Sequence, residues 1–274
     1  PGDGEDKDRQ MKLSGISRMY AGSIELDRKA LANAHLTPDG RYIKELPVVK
    51  HLTRLELNTP VTFFCGENGA GKSTLIEAVA VACGFNPEGG SRNMDFSTRQ
   101  SVSPLAAFLH ISHGLKRPKD GYFLRAESFY NVATEIETLD AEPAAAPKLI
   151  ESYGGVSLHE MSHGESFFAL MKNRFFGKGL YILDEPEAAL SPSRVMAMLI
   201  IIDELVRNES QFIISTHSPI LLSCRDSTVF ELRDDGIFET PYKETMTFRT
   251  MKNFLDAPER TLKYLLSDEE SDLN

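Results

Sequence analysis

The chain of 274 residues is 41% hydrophobic and 26% charged, with 19 Gly, 14 Pro, 16 Phe and 8 Tyr, a composition that excludes fibrous, collagen-like and wholly disordered classes. Its length suits one large α/β domain or two small ones. Thirty basic against 40 acidic residues give a net charge of −10, the opposite sign to most duplex-binding proteins, although a local basic groove is compatible with it.

The first ten residues carry six charges and no hydrophobic side chain, and read as a disordered leader or a remnant of cloning (1–10). Leu52–Leu57 alternates and predicts a strand, and Val61–Cys65 predicts a buried strand running into a glycine loop. Lys72–Cys83 has the apolar spacing of a helix. Phe108–Ser112 and Gly121–Ala126 are expected to pair as a hairpin around the polar tip Lys116-Arg117-Pro118-Lys119-Asp120, a solvated loop. Ala141–Pro147 reads as a surface spacer. Leu180–Leu183 predicts a buried strand, Ser191–Asn208 a long helix capped by Ser191 with Pro192 in its first turn, and Gln211–Ser215 another strand. Thr228–Glu239 predicts a hairpin turning at Asp235-Gly236, followed by amphipathic helices near Phe248–Leu255 and Pro258–Leu266. The last eight residues form an acidic tail (267–274). Strands alternating with helices predict an α/β fold with a mostly parallel sheet covered on both faces. The longest apolar run, Val195–Ile202, stops at Asp203 and is far short of the roughly 20 residues of a spanning helix. Without a signal-peptide pattern, the expectation is a soluble cytoplasmic protein with no membrane insertion. Cys65, Cys83 and Cys224 form no CxxC pair and read as small buried hydrophobes, with neither a disulfide frame nor a zinc site.

Gly66-Glu67-Asn68-Gly69-Ala70-Gly71-Lys72-Ser73 matches the full phosphate-loop pattern, between a predicted strand and a predicted helix. Its glycines let backbone N–H groups turn inward around a phosphate, and the helix N-terminus adds partial positive charge. Lys72 is placed to reach the β and γ phosphates, Ser73 to ligate Mg²⁺, and Thr74 continues the nucleotide-binding turn. No guanine-reading motif accompanies the loop, which favours ATP. A second element, Leu180-Tyr181-Ile182-Leu183-Asp184-Glu185, delivers two carboxylates to the end of a strand. In phosphate-loop enzymes such an Asp holds Mg²⁺ and a following Glu orients the attacking water.

Three further segments complete the set. Met161-Ser162-His163-Gly164-Glu165-Ser166 opens an apolar helix, Glu187-Ala188-Ala189-Leu190-Ser191 follows the acidic strand, and Ser215-Thr216-His217-Ser218 follows the next strand. In this order they resemble the signature motif, D-loop and switch histidine of the ATP-binding-cassette (ABC) ATPases. The wording ILDEPEAALSP and ISTHSPILLS resembles the stand-alone bacterial ATPases of the SMC/RecF branch. The resemblance spans roughly Leu52–Arg233 and implies a single ABC-type domain over 11–266. Its fold would be a P-loop NTPase with an antiparallel β portion and a helical signature lobe over about 128–176. It also implies ATP–Mg²⁺ held between two copies of the chain. One copy would contribute Lys72, Ser73, Asp184, Glu185 and His217, and the other Ser162 and Gly164, with Glu165 beside them.

Two departures from the family pattern bear on function. His163 and Glu165 replace the Gly and Gln usual in transporters, and the glutamine expected after the strand Gly121–Ala126 is absent, Glu127 and Ser128 standing there instead. Glu127 is taken as a candidate Mg²⁺ ligand, a carboxylate being a competent hard-cation donor. Tyr42 is a candidate adenine-stacking residue, with a core or edge position as its competing reading. The expected function is an ATPase that dimerises on ATP and drives an unidentified effector complex. The alternatives are a transporter nucleotide-binding subunit, a compact RecF-like DNA-repair ATPase, and a P-loop kinase, which has no use for Ser162, Gly164 or His217.

Overall fold

Two sheets organise the chain, whose computed structural model describes residues 19–91, 103–126, 163–188 and 190–266, together with 134, 137, 138, 140, 150 and 151. In chain order the first elements are β1 (Ala21–Leu26), α1 (Arg28–Asn33), a 3₁₀ segment (Pro38–Glu45), α2 (Pro47–His51), β2 (Arg54–Glu56) and β3 (Val61–Gly66). Next come α3 (Lys72–Ala82), β4 (Gly90–Ser91), a second 3₁₀ segment (Pro104–Phe108), β5 (Leu109–His113), β6 (Asp120–Arg125) and α4 (His163–Arg174). The remainder comprises β7 (Gly179–Asp184), α5 (Pro192–Arg207), β8 (Gln211–Ser215), α6 (Pro219–Leu222), β9 (Ser227–Arg233), β10 (Gly236–Glu239), α7 (Met246–Asp256) and α8 (Pro258–Leu266).

The large sheet has the order β10-β9-β3-β8-β7-β6-β4. Its five central strands are parallel, and β10 and β4 close its edges in antiparallel pairings. Alternation along each strand sends side chains to opposite faces. Phe64, Phe123, Leu180, Ile182 and Ile213 join α3 and the small sheet in one core. Phe63, Tyr122, Tyr181, Leu183, Phe212 and Ile214 join α4 and α5 in the other. Burial on both faces explains why these strands read as nearly unbroken apolar runs.

The predicted hairpin does not form. β5 pairs antiparallel with β1 in a small β2-β1-β5 sheet, while β6 pairs parallel with β7. The sequence LHISH of β5 is buried on one side only, suiting a half-exposed antiparallel sheet; the interior of β6 is buried throughout, suiting the centre of the parallel one. The strand expected over Leu52–Leu57 shortens to β2, because Leu52 ends α2 and donates its N–H to Val48. The last hairpin turns at Asp234-Asp235, one residue earlier than expected, Gly236 already pairing with Arg233. Helix α5 begins at Pro192 as expected, but Ser191 makes no capping bond through its side chain, which pairs with Ser193. Cys65 and Cys83 are buried, Cys224 is partly so and none is disulfide-bonded, as expected; burial pushes the Cys65 thiol up to about 12. The leader, the acidic tail, the spacer and most of the signature lobe lie outside the described residues. Among the described residues no helix is long and apolar enough to cross a membrane.

Candidate functional site

Register brings the chemistry-bearing residues to one edge. Phe64 pairs with Ser215, Ser215 with Asp184, and Asp184 with Arg125, so β3, β8, β7 and β6 end side by side. In parallel α/β sheets ligands bind outside these carboxyl ends.

The loop after β3 is held open by backbone conformations that L side chains resist. Gly66 has φ 141° and a Cβ there would lie 2.2 Å from the Leu232 carbonyl oxygen; Gly71 has φ 92° and a Cβ there would meet Val48 Cγ1 at 2.5 Å. Gly69 is also left-handed. Gly71 opens α3 without any side-chain cap, leaving the first-turn N–H groups to an external acceptor. Ala70 is pinned by its carbonyl to the Val48 N–H at 3.2 Å. The Lys72 ammonium is buried and donates to the carbonyls of Gly66 (3.0 Å) and Glu67 (2.9 Å). Burial lowers its pKa, a tendency that Glu185 and Asp184 oppose.

The Asp184 carboxylate is buried, and its pKa is raised chiefly by that burial. The Ser215 hydroxyl donates to Oδ1 at 2.5 Å, the Arg125 guanidinium lies 3.7 Å from Oδ2, and the Ser73 hydroxyl lies near the group, all three pulling the pKa back. Glu185 adopts φ 49°, uncommon for a residue with a Cβ, and its N–H is held by the carbonyl and hydroxyl oxygens of Ser215, both at 3.1 Å. Its Oε1 lies 3.3 Å from His217 Nε2, an ion-pair distance without hydrogen-bond geometry. Among the described residues Glu67, Asn68, Glu185 and His217 line a cleft of about 540 Å³.

The structure therefore brings together Gly66, Asn68, Gly69, Ala70, Gly71, Lys72, Ser73, Asp184, Glu185 and His217, with Thr74 in the first turn of α3. Gly164 and Glu165 lie elsewhere, in the first turn of α4, where Glu165 faces Arg194 of α5 at 3.5 Å. Ser162 and Glu127 fall outside the described residues. Tyr42 is about half exposed on its 3₁₀ segment, so the core reading fails.

The comparisons agree with this geometry. A family profile described as "AAA domain" matches residues 42–122, and one described as "AAA domain, putative AbiEii toxin, Type IV TA system" matches 150–223. The cobalt import ATP-binding protein CbiO of Salmonella typhimurium is 26% identical over 211 residues, 72% of this chain and 76% of that protein. The chain has a P-loop NTPase fold and is similar to ATP-binding proteins of the ABC type. The ribose import ATP-binding protein RbsA of Bacillus cereus is 24% identical to this chain over 185 residues, 62% of the chain but only 37% of that relative's length. In fold the chain resembles the solved cbiO1 of Clostridium perfringens, described as part of the ABC transporter complex cbiONQ. The TM-score is 0.50 at 16% identity, covering 90% of this chain and 98% of that one.

Sequence reading missed the roles of three polar residues, among them Glu187, which it placed only in the D-loop segment. Glu77, one turn beyond Ser73, is buried and binds Arg125 at 2.7 Å and the Ser103 N–H at 2.9 Å, so that Arg125 bridges the phosphate-loop helix and Asp184. A lone carboxylate inside the apolar helix KSTLIEAVAVAC was the available signal. Glu187, third acid of the run DEPE, accepts from Thr216 Oγ1 and the His217 N–H.

The donor set fits Mg²⁺. The Ser73 hydroxyl and the nearby buried Asp184 carboxylate provide hard oxygens, and such an ion takes one or two protein ligands, completing its shell with water and phosphate oxygens.

Proposed function

We propose that the chain binds ATP–Mg²⁺ at a composite site between two copies of itself and hydrolyses it to ADP and phosphate, driving a separate effector complex. The observation that carries this reading is the convergence of Lys72, Ser73, Asp184, Glu185 and His217 at the ends of three adjacent parallel strands. The N–H groups of the loop and the first turn of α3 receive the phosphates, and Lys72 turns from its own loop carbonyls to the terminal ones. Ser73 and Asp184 would hold Mg²⁺, which would supply charge neutralisation of the phosphates. Glu185 orients the attacking water and accepts its proton, while His217, beside it, donates to the γ-phosphate. Each contributes position and charge, with little covalent chemistry.

The signature turn, Ser162 and Gly164, is assigned to the opposing copy. The contact of Glu165 with Arg194, away from the cleft of its own chain, supports that assignment. Wild-type protein is expected to release phosphate from ATP. Glu185→Gln should lower turnover by roughly 10²–10³-fold while retaining ATP binding, and Lys72→Ala should lose binding itself. Full turnover by Glu185→Gln, measured by phosphate release, would refute the reading.

A second reading, a nucleotide-binding subunit of a transporter, is favoured by the import functions named in both curated relatives. Co-purification with an integral membrane protein distinguishes it from a soluble partner complex. Stimulation of turnover by DNA, declining with salt, would instead favour the RecF-like reading.

A further inference from the structure

We propose that Glu187 is a positioning residue that fixes the switch histidine, His217, against Glu185; this deepens the reading of the site as an ATPase centre and rests on it. The loop after β7 and the loop after β8 are joined by one carboxylate oxygen. Glu187 Oε1 accepts from the His217 backbone N–H at 2.6 Å and from the Thr216 hydroxyl at 2.7 Å. Thr216 is fully buried, and its Oγ1 in turn accepts from the Ser218 N–H at 2.9 Å. Three consecutive residues at the end of β8 thereby hang on a single acid. Bonds to an ionised acceptor are short and roughly twice as strong as neutral ones.

The same short loop also lies beside the ring of His217. Glu185, two residues before Glu187, lies 3.3 Å from the ring Nε2. The spacing between the two acids is itself fixed: the Ala188 N–H bonds to the Glu185 carbonyl at 3.0 Å and the Leu190 N–H to the Glu187 carbonyl at 2.9 Å. Backbone and imidazole tip are thus both referenced to one turn, so a shift of Glu187 displaces the ring relative to the hydrolytic carboxylate. The second oxygen, Oε2, is buried and has no hydrogen-bond partner among the described residues. Buried polar atoms are normally satisfied, and one that is not calls for an explanation outside simple stability. Glu187 also adds to the negative field at Lys72, which places it in the electrostatics of the phosphate site.

The test compares wild type, Glu187→Gln and Glu187→Ala by two readouts. Hydrogen exchange in nucleotide-free protein reports the tie directly. The His217 amide is expected to exchange roughly tenfold faster or more in Glu187→Ala, with Glu187→Gln close to wild type because its amide oxygen still accepts. In steady-state ATP hydrolysis, Glu187→Ala is expected to lose roughly tenfold or more in kcat with KM for ATP within about twofold, and Glu187→Gln to recover most of it. Unchanged exchange in the Ala variant, or kcat preserved in it, overturns the proposal. So does a Gln variant as impaired as the Ala variant, or a fall in kcat matched by an equal change in KM. If Glu187→Ala does not fold, the Gln variant decides: near-wild-type exchange and turnover support the tie, and loss of either overturns it. Wild-type protein that releases no phosphate would refute the ATPase reading itself, a result separate from the exchange readout.

Discussion

Asp184 shows how a side chain suited to a cation burdens the protein that carries it. Burial raises its pKa above the ordinary 3.8, and the Ser215 hydroxyl, Arg125 and Ser73 offset this only in part. A carboxyl with a raised native pKa holds its proton more tightly in the folded than in the unfolded state. Stability therefore falls as pH rises from the ordinary value through the native one, and the cost is complete above it. Asp184→Asn is expected to raise the Tm of nucleotide-free protein at about pH 8, with the gain shrinking as pH approaches about 4. Thermal melts across that range check it, and a variant less stable than wild type at the upper end would contradict it. Gly71 has the opposite character. Its left-handed φ and the 2.5 Å approach of Val48 Cγ1 to any Cβ mean that Gly71→Ala should cost more than about 1 kcal/mol in urea unfolding and weaken ATP binding. Equal urea midpoints would show that the loop relaxes freely. Both residues were legible in sequence, because phosphate-loop and acidic-strand patterns fix residue type and spacing together. Glu77, Arg125 and Glu187 were not, since their roles arise from partners 26 to 59 residues away in sequence and from the meeting of two loops.

At the scale of elements, the parallel strands were legible because burial on both faces writes continuous apolar runs, and their ends were marked by glycine or acid. The β2-β1-β5 sheet was not. Its outer strands β2 and β5 are largely exposed, all three lie far apart in sequence, and none carries a turn that announces the pairing. The expected hairpin shows the same limit: a basic tip between two apolar runs suggests local pairing, but both edges of β6 are taken by β7 and β4. The start of β6 is fixed by Asp120, whose carboxylate accepts from Tyr181 Oη (2.7 Å), Arg174 Nη1 (2.9 Å) and the Phe176 N–H (3.1 Å). Burial alone would raise its pKa, but these donors outweigh it and hold it below 3.8. Its contribution is therefore present above that pH and lost as pH falls through the lower native value. Asp120→Asn should cost about 1–3 kcal/mol near neutral pH, and the difference should narrow as pH falls below the ordinary carboxylate value and through the lower native one. Urea midpoints at neutral and acidic pH measure it, and a gap independent of pH would contradict the assignment.

For the whole molecule, the order of motifs conveyed the architecture more completely than any single segment did. That order shows which strands end together, and the seven-stranded sheet realises it. Sequence could not convey the surroundings of the cleft. The apolar faces of α7 and α8, with Met246, Met251, Phe254 and Leu265, border a groove of about 840 Å³ whose far side is Gly66, Glu67, Asn68 and Ala70. Periodicity foretold amphipathic helices there, but only packing places them beside the phosphate loop. The first turn of α4, where Glu165 meets Arg194, bears on the larger proposal. On that proposed reading the signature turn of one copy completes the phosphate site of the other. Nucleotide would then act as the closing contact and hydrolysis as its release. Light scattering of Glu185→Gln protein, saturated with ATP and Mg²⁺, tests this most directly. The account predicts the mass of two chains with ATP and of one chain with ADP; a single-chain mass at full ATP occupancy would contradict it.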